Sequence, residues 1–179
     1  SSSSAASDVY KRQSINNVNS NNNAALNDYL QTRTCQIFVS KGAPDFLDPG
    51  SSKQLVGESR GSGFAMDFKD DYGIHIVTNH HVVADYLNIS VSFPAFGKRK
   101  LKASIAGWCP ESDIAFLKID DPTYASQINS VEIGSSEELS RGDSLLAVGY
   151  PLGMTDIQFT SGNLTGYHDS RFERFLQHS

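Results

Sequence analysis

The stretch Gly73-Ile74-His75-Ile76-Val77-Thr78-Asn79-His80-His81-Val82-Val83-Ala84 decides how this chain is read. Ile74, Ile76, Val77 and Thr78 are β-branched, which restricts χ1 and favours a strand that packs on both sides. The run ends in two adjacent imidazoles and a turn of small residues. A ring delivered at the end of a strand is held far more firmly than one on a loop. Just upstream, Lys69-Asp70-Asp71-Tyr72-Gly73 reads as a polar hairpin turn. Before that turn, Gly61-Ser62-Gly63-Phe64-Ala65-Met66-Asp67-Phe68 reads as a strand whose glycines allow close backbone approach.

Working outward, the same logic predicts further strands over Cys35–Ser40, Leu87–Phe93, Lys100–Trp108 and Ile114–Ile119. In the third of these, Leu101, Ala103, Ile105 and Gly107 would share one face. Lys41–Glu58, rich in Gly, Pro, Ser and Asp, reads as a loop. Six strands with short polar turns predict a small antiparallel barrel over residues 26–120. Asp120–Gly142 reads as a connector. Strands over Ser144–Val148, Ile157–Thr165 and Arg171–Gln177 then open a second sheet, so residues 121–179 are expected to hold a connector and an incomplete second barrel. An unfinished sheet leaves an unpaired edge, which predicts that the domain continues past Ser179. A short amphipathic helix is expected from Ala25 to Arg33. Residues 1–25, rich in Ser and Asn, are expected to form a disordered arm.

The bulk composition excludes several classes. With 179 residues, 39% hydrophobic and 20% charged, the chain can bury a core. A net charge of −5 argues against a nucleic-acid backbone as partner. No apolar run reaches membrane-spanning length. No targeting signal is readable, so the sequence names no compartment. Cys35 and Cys109 are too few for a disulfide scaffold.

The chemistry centres on His81. A serine hydrolase needs an imidazole to take the hydroxyl proton and a carboxylate to hold that imidazole in the right tautomer. Asp113, where the polar loop Pro110-Glu111-Ser112 meets the apolar run from Ile114, is the preferred acid, with Glu111 and Asp120 as competitors. Several motifs then follow in order: Gly61-Ser62-Gly63-Phe64, Thr78-Asn79-His80-His81-Val82-Val83, Ser112-Asp113-Ile114-Ala115-Phe116-Leu117-Lys118, Arg141-Gly142-Asp143-Ser144 and Gly149-Tyr150-Pro151-Leu152-Gly153. From about Thr34 onward the chain resembles the protease domain of the HtrA/Deg family of trypsin-like serine endopeptidases. The resemblance implies an all-β, trypsin-like double β-barrel, with the first barrel complete and the second truncated. It implies His81 as general base and Asp113 as the orienting acid. It implies unfolded or damaged polypeptides as substrates, no cofactor, and assembly as a homotrimer. The family's Gly-Asn-Ser-Gly-Gly nucleophile segment is absent from these 179 residues, so the chain itself is expected to be inactive, although its parent would be a protease. The alternative is a catalytically inactive, protease-like binding or chaperone module.

Other signals carry blander readings. Gly57-Glu58-Ser59-Arg60-Gly61 matches a hydrolase nucleophile elbow, but that motif needs a strand before it and a helix after it; a loop entering a strand fits better. His80 and His81 would point to opposite faces of a strand, and neither Cys nor a third His stands at metal-ligand spacing. His75 reads as a satisfied or exposed histidine rather than a ligand, and His168 and His178 receive no role. Arg141-Gly142-Asp143 reads as a turn. Cys35 could in principle act as a nucleophile, but its apolar strand favours a buried, inert thiol.

Overall fold

Every second residue of the central strands turns inward, and the chain closes on that pattern. The computed structural model of the protein describes residues 20–43, 54–69, 72–169 and 174–178. Six strands form a closed barrel: β1 (Thr34–Ala43), β2 (Gln54–Asp67), β3 (Ile74–Thr78), β4 (Tyr86–Ser92), β5 (Leu101–Cys109) and β6 (Ile114–Ile119). Neighbours run in the order β1-β2-β3-β6-β5-β4, and β4 pairs back onto β1 through Ile37↔Val91 and Val39↔Ile89. All of these pairings are antiparallel. Closure leaves this sheet without a free edge.

The inward set is Cys35, Ile37 and Val39 from β1, Ala65 from β2, Ile76 from β3, Ile89 and Val91 from β4, Leu101 and Ala103 from β5, and Ala115, Leu117 and Ile119 from β6. Phe93 is fully buried. Phe96 packs edge-on against it at 5.9 Å and against Tyr124 at 5.2 Å. Gly63 marks a tight point in the wall. A Cβ there would lie 2.8 Å from Ile76 Cγ2 and 2.9 Å from Ile37 Cδ1. Only a residue without a side chain lets those two branched chains meet.

Two compact units appear, and the barrel belongs to the one formed by Gln31–Gly134 and Val148–Phe159. Within it, the segment after β7 (Ser144–Gly149) is tied to the barrel's outer side. Ser62 Oγ accepts from the Tyr150 N–H at 2.8 Å, Gln36 Nε2 donates to the Met154 carbonyl at 2.8 Å, and Arg60 Nη1 donates to the Gly153 carbonyl at 3.1 Å. The other unit comprises the described parts of Ser1–Leu30, Ser135–Ala147 and Thr160–Ser179. Its α1 helix covers Ser20–Leu30. A three-stranded sheet in the order β7-β8-β9 includes β8 (Gln158–Asp169) and β9 (Arg174–His178). In the second unit the Tyr167 hydroxyl donates to the Ser136 and Leu139 carbonyls at 3.0 and 2.8 Å.

Several local expectations need correction. Much of the expected loop Lys41–Glu58 is strand: β1 runs on to Ala43 and β2 starts at Gln54, with Ser40 opposite Glu58 and Lys41 opposite Gly57. Pairing with β1 overrides the loop-like composition. The elbow-like Gly57–Gly61 therefore lies inside a strand, with no helix after the serine. Helix α1 begins at Ser20 and ends at Leu30, so it takes in residues assigned to the disordered arm and stops short of Arg33. The shared face proposed for β5 holds at Leu101, Ala103 and Ile105, which packs against the core opposite Leu117, and a bulge between Ile105 and Gly107 then sets Gly107 opposite Phe116. The remainder of the predicted arm, the middle of the Lys41–Glu58 loop, the tip of the Lys69–Gly73 turn and residues 170–173 lie outside the described residues.

Candidate active site

β3 ends at Thr78, and the histidines that follow do not continue it. They open a single helical turn, α2 (His80–Val83), with Asn79 as its N-cap. The expectation that His80 and His81 lie on opposite faces of a strand is therefore replaced: consecutive helical residues differ by about 100° around the axis. Val82 and Val83 are buried by the turn, which leaves His81 outside, its side chain 71% exposed.

Asp113 stands immediately before β6, and β6 is hydrogen-bonded to β3 with Ala115 opposite Thr78. This ladder brings together two residues separated by 32 positions. Asp113 adopts a left-handed backbone, φ 51°, which Asp tolerates better than most residues. The resulting turn presents both its carbonyl and its carboxylate to the start of α2. The carbonyl accepts from the His80 N–H at 3.0 Å and from Asn79 Nδ2 at 3.3 Å. Carboxylate Oδ1 accepts from the His81 N–H at 2.8 Å, and Oδ2 lies 2.6 Å from His81 Nδ1. Asn79 makes no side-chain cap of its own; Asp113 satisfies the first amides of the turn instead.

These contacts fix the protonation pattern. The Asp113 carboxyl is held below its usual range, first by the His81 backbone N–H and then by the bond to the His81 ring, against a smaller opposing effect of desolvation. Asp113 is thus an acceptor-only carboxylate at neutral pH, so Nδ1 must carry the proton and Nε2 of the neutral ring is left with a lone pair. The arrangement can accept a proton at Nε2 and stabilise the imidazolium that results.

The competing acids lie elsewhere. Asp120 accepts from Ser104 Oγ at 2.5 Å and stands 3.7 Å from Lys102 Nζ. Glu111 accepts from Cys109 Sγ at 3.6 Å. His75 packs edge-on against Phe68 at 5.7 Å. Cys35 is fully buried, and desolvation pushes its thiol far above the ordinary range, which suits an inert core residue rather than a nucleophile. Both cysteines are free. Among the described residues no cluster of three or more His, Cys, Asp or Glu could hold a metal, and no helix is long and apolar enough to cross a membrane.

Sequence reasoning did not foresee the double use of Asp113, as cap and as ring partner. The only signal was an Asn at position 79, a favoured N-cap residue, followed by no Glu or Gln three positions on to complete a capping box.

Known proteins share the sequence pattern and the fold. Residues 61–179 match the model of the trypsin-like peptidase domain. The chain is 35% identical over 116 residues to a "probable periplasmic serine endoprotease DegP-like" of Pseudomonas fluorescens, a match spanning 65% of this chain and 22% of that protein. It is 28% identical over 145 residues to the mitochondrial protease Do-like 4 of Arabidopsis thaliana, spanning 81% of this chain and 26% of that protein. A solved structure of the HtrA-type protease AlgW with a tripeptide has the same fold, with a TM-score of 0.61 at 23% identity over 83% of this chain and 41% of that one. The chain thus spans between a fifth and about a quarter of the two curated relatives named here.

Proposed function

Because the chain belongs to the trypsin-like peptidase family, within its HtrA/Deg branch, we propose that it carries the proton-transfer half of a serine endopeptidase. The observation that carries the reading is the two-point hold of Asp113 on His81, at 2.8 Å to the backbone N–H and 2.6 Å to Nδ1. In this reading His81 Nε2 takes the proton from a serine hydroxyl as its oxygen attacks the scissile carbonyl. Asp113 holds the ring and stabilises the imidazolium. The same proton then passes to the leaving amine, an ester to the serine remains, and water attacks it by the reverse sequence.

The Gly-Asn-Ser-Gly-Gly segment that in this reading would hold the serine and its oxyanion donors does not occur in the 179 residues. We propose that a longer parent protein supplies them, and that the 179 residues alone do not turn over substrate, since loss of the nucleophile and the oxyanion hole removes most of the acceleration. The substrates proposed are unfolded or damaged polypeptides, in keeping with the HtrA/Deg resemblance. The second reading is a module that holds such polypeptides without cutting them.

The test is direct. The 179-residue chain is incubated with an unfolded model polypeptide, and a version extended in frame by the parent's following sequence is treated with a fluorophosphonate probe. The protease reading expects no cleavage by the former and covalent labelling of the latter, with labelling abolished in His81→Ala. An extended protein that binds the polypeptide yet never takes the probe establishes the holding module instead.

A further inference from the structure

Helix α2 is only four residues long. A single turn has no stability of its own in water, so the orientation of His81 must be imposed from outside. Asp113 acts on the N-terminal side of the turn. Two other residues meet it from β2 and β1, and neither belongs to the His81–Asp113 pair.

The first is Gly61. A Cβ built on it would stand 2.8 Å from both methyl carbons of Val82 and 3.3 Å from its Cβ. The glycine is required by space, because Val82, next in sequence to His81 and 6% exposed, sits directly on its α-carbon. The second is Lys41. Its Nζ donates to the His81 carbonyl at 3.2 Å and to the Ala84 carbonyl. These are C-terminal carbonyls of the turn, where a cation is favoured. The register slips at this point on both sides of β1, between Lys41 and Gly42 against β2 and between Ser40 and Lys41 against β4. Bulges re-aim side chains out of the regular pleat, and here the displaced residue is the lysine that reaches across to α2.

We infer that Gly61 and Lys41 are positioning residues for His81: Gly61 sets how deeply the turn seats on the barrel, and Lys41 anchors its far end. Together with Asp113 they fix the turn at three points. The catalytic consequence rests on the reading of His81 as general base, but the geometric claim can be tested without turnover.

The experiment uses the 179-residue chain labelled with ¹⁵N-histidine and ¹³C-aspartate. The tautomer of neutral His81 is read from its two ring nitrogens at alkaline pH, and the titration of Asp113 from its carboxyl carbon. In the wild type the ring carries its proton on Nδ1. In Gly61→Ala the new methyl pushes Val82 outward: the ring shifts toward the Nε2–H form favoured by free imidazole, and the Asp113 midpoint rises toward the ordinary value of about 3.9. Gly61→Ala/Val82→Ala removes the obstructing methyls and restores both signals. Lys41→Met moves the signals in the same direction, and Lys41→Arg restores them. Amide resonances of β4 and β5, away from the turn and recorded on uniformly ¹⁵N-labelled samples, report whether each variant is folded.

A folded Gly61→Ala with wild-type tautomer and Asp113 titration overturns the role of Gly61, as does a folded double variant that fails to recover. Should Gly61→Ala not fold, the comparison of the double variant with Val82→Ala decides. Wild-type signals in Lys41→Met overturn the role of Lys41. Failure of the protease reading would show instead as absent probe labelling with all of these signals in place.

Discussion

Leu117→Ala isolates what packing contributes to the platform under the site. Leu117 is fully buried in β6, facing Ile76 of β3 and Ile105 of β5 across the ladders. The change removes three carbons from a closed core. At about 0.8 kcal/mol per buried methylene, the transfer loss is about 2.4 kcal/mol. Neighbouring strands are held in a closed barrel and collapse only partly, so the cavity adds to this, for a total of about 3–4 kcal/mol. With a urea dependence of about 2 kcal/mol per molar, the unfolding midpoint should fall by about 1.5–2 M. Equilibrium urea unfolding followed by circular dichroism measures it. Leu117 lies four residues beyond Asp113, about 13 Å along an extended strand, so the Nδ1–H tautomer of His81 should survive in the folded variant. A midpoint shift below about 0.5 M would refute the packing argument. A full shift accompanied by loss of the tautomer would refute the independence of site and core.

The remaining predictions concern the site and the walls around it. Asp113→Asn keeps the size of the side chain but removes the charge; in a parent that holds the serine, kcat should fall by roughly 10⁴, as expected where the carboxylate fixes the tautomer, and steady-state kinetics with matched folded protein would show it. Because the folded-state pKa of Asp113 lies below its unfolded value of about 3.9, its stabilising effect is complete above that value and is lost as pH falls through the lower folded value. The difference in urea midpoint between wild type and Asp113→Asn should therefore hold at neutral pH and close only in acid, and closure well above about pH 4 would contradict it. Gly63→Ala should destabilise the barrel by about 1–3 kcal/mol through overpacking against Ile37 and Ile76, read from thermal or urea unfolding. A thiol reagent should modify Cys109 readily in the native protein and reach the buried Cys35 only after unfolding, which mass spectrometry of labelled peptides would resolve.

Strands β3 and β6 were legible in the sequence as apolar runs of strand length, rich in β-branched residues in β3, and β4 was legible from its alternation. The first half of β2 was not. Gly57 and Ser59 carry loop chemistry, and only pairing with Lys41 and Val39 makes that segment a strand. Helix α2 escaped notice because two β-branched valines and two histidines have weak helix propensity; it is imposed by Asp113, Gly61 and Lys41. The sequence singled out His81 and, from spacing, put Asp113 only a little ahead of Glu111 and Asp120. That choice depends on a left-handed backbone at position 113 and on which strand lies beside β3, and both are set by tertiary structure.

The adjacency of β3 and β6 has an evolutionary corollary. Imidazole and carboxylate inherit their spacing from one rung, Thr78 opposite Ala115, and not from the chain that joins them. The connection between β4 and β5, around Phe93–Lys100, could lengthen or shorten across descendants without disturbing the pair. A single residue gained or lost between Cys109 and Ile114 would carry Asp113 off its partner. Drift in this lineage should therefore accumulate in the first connection and be purged from the second.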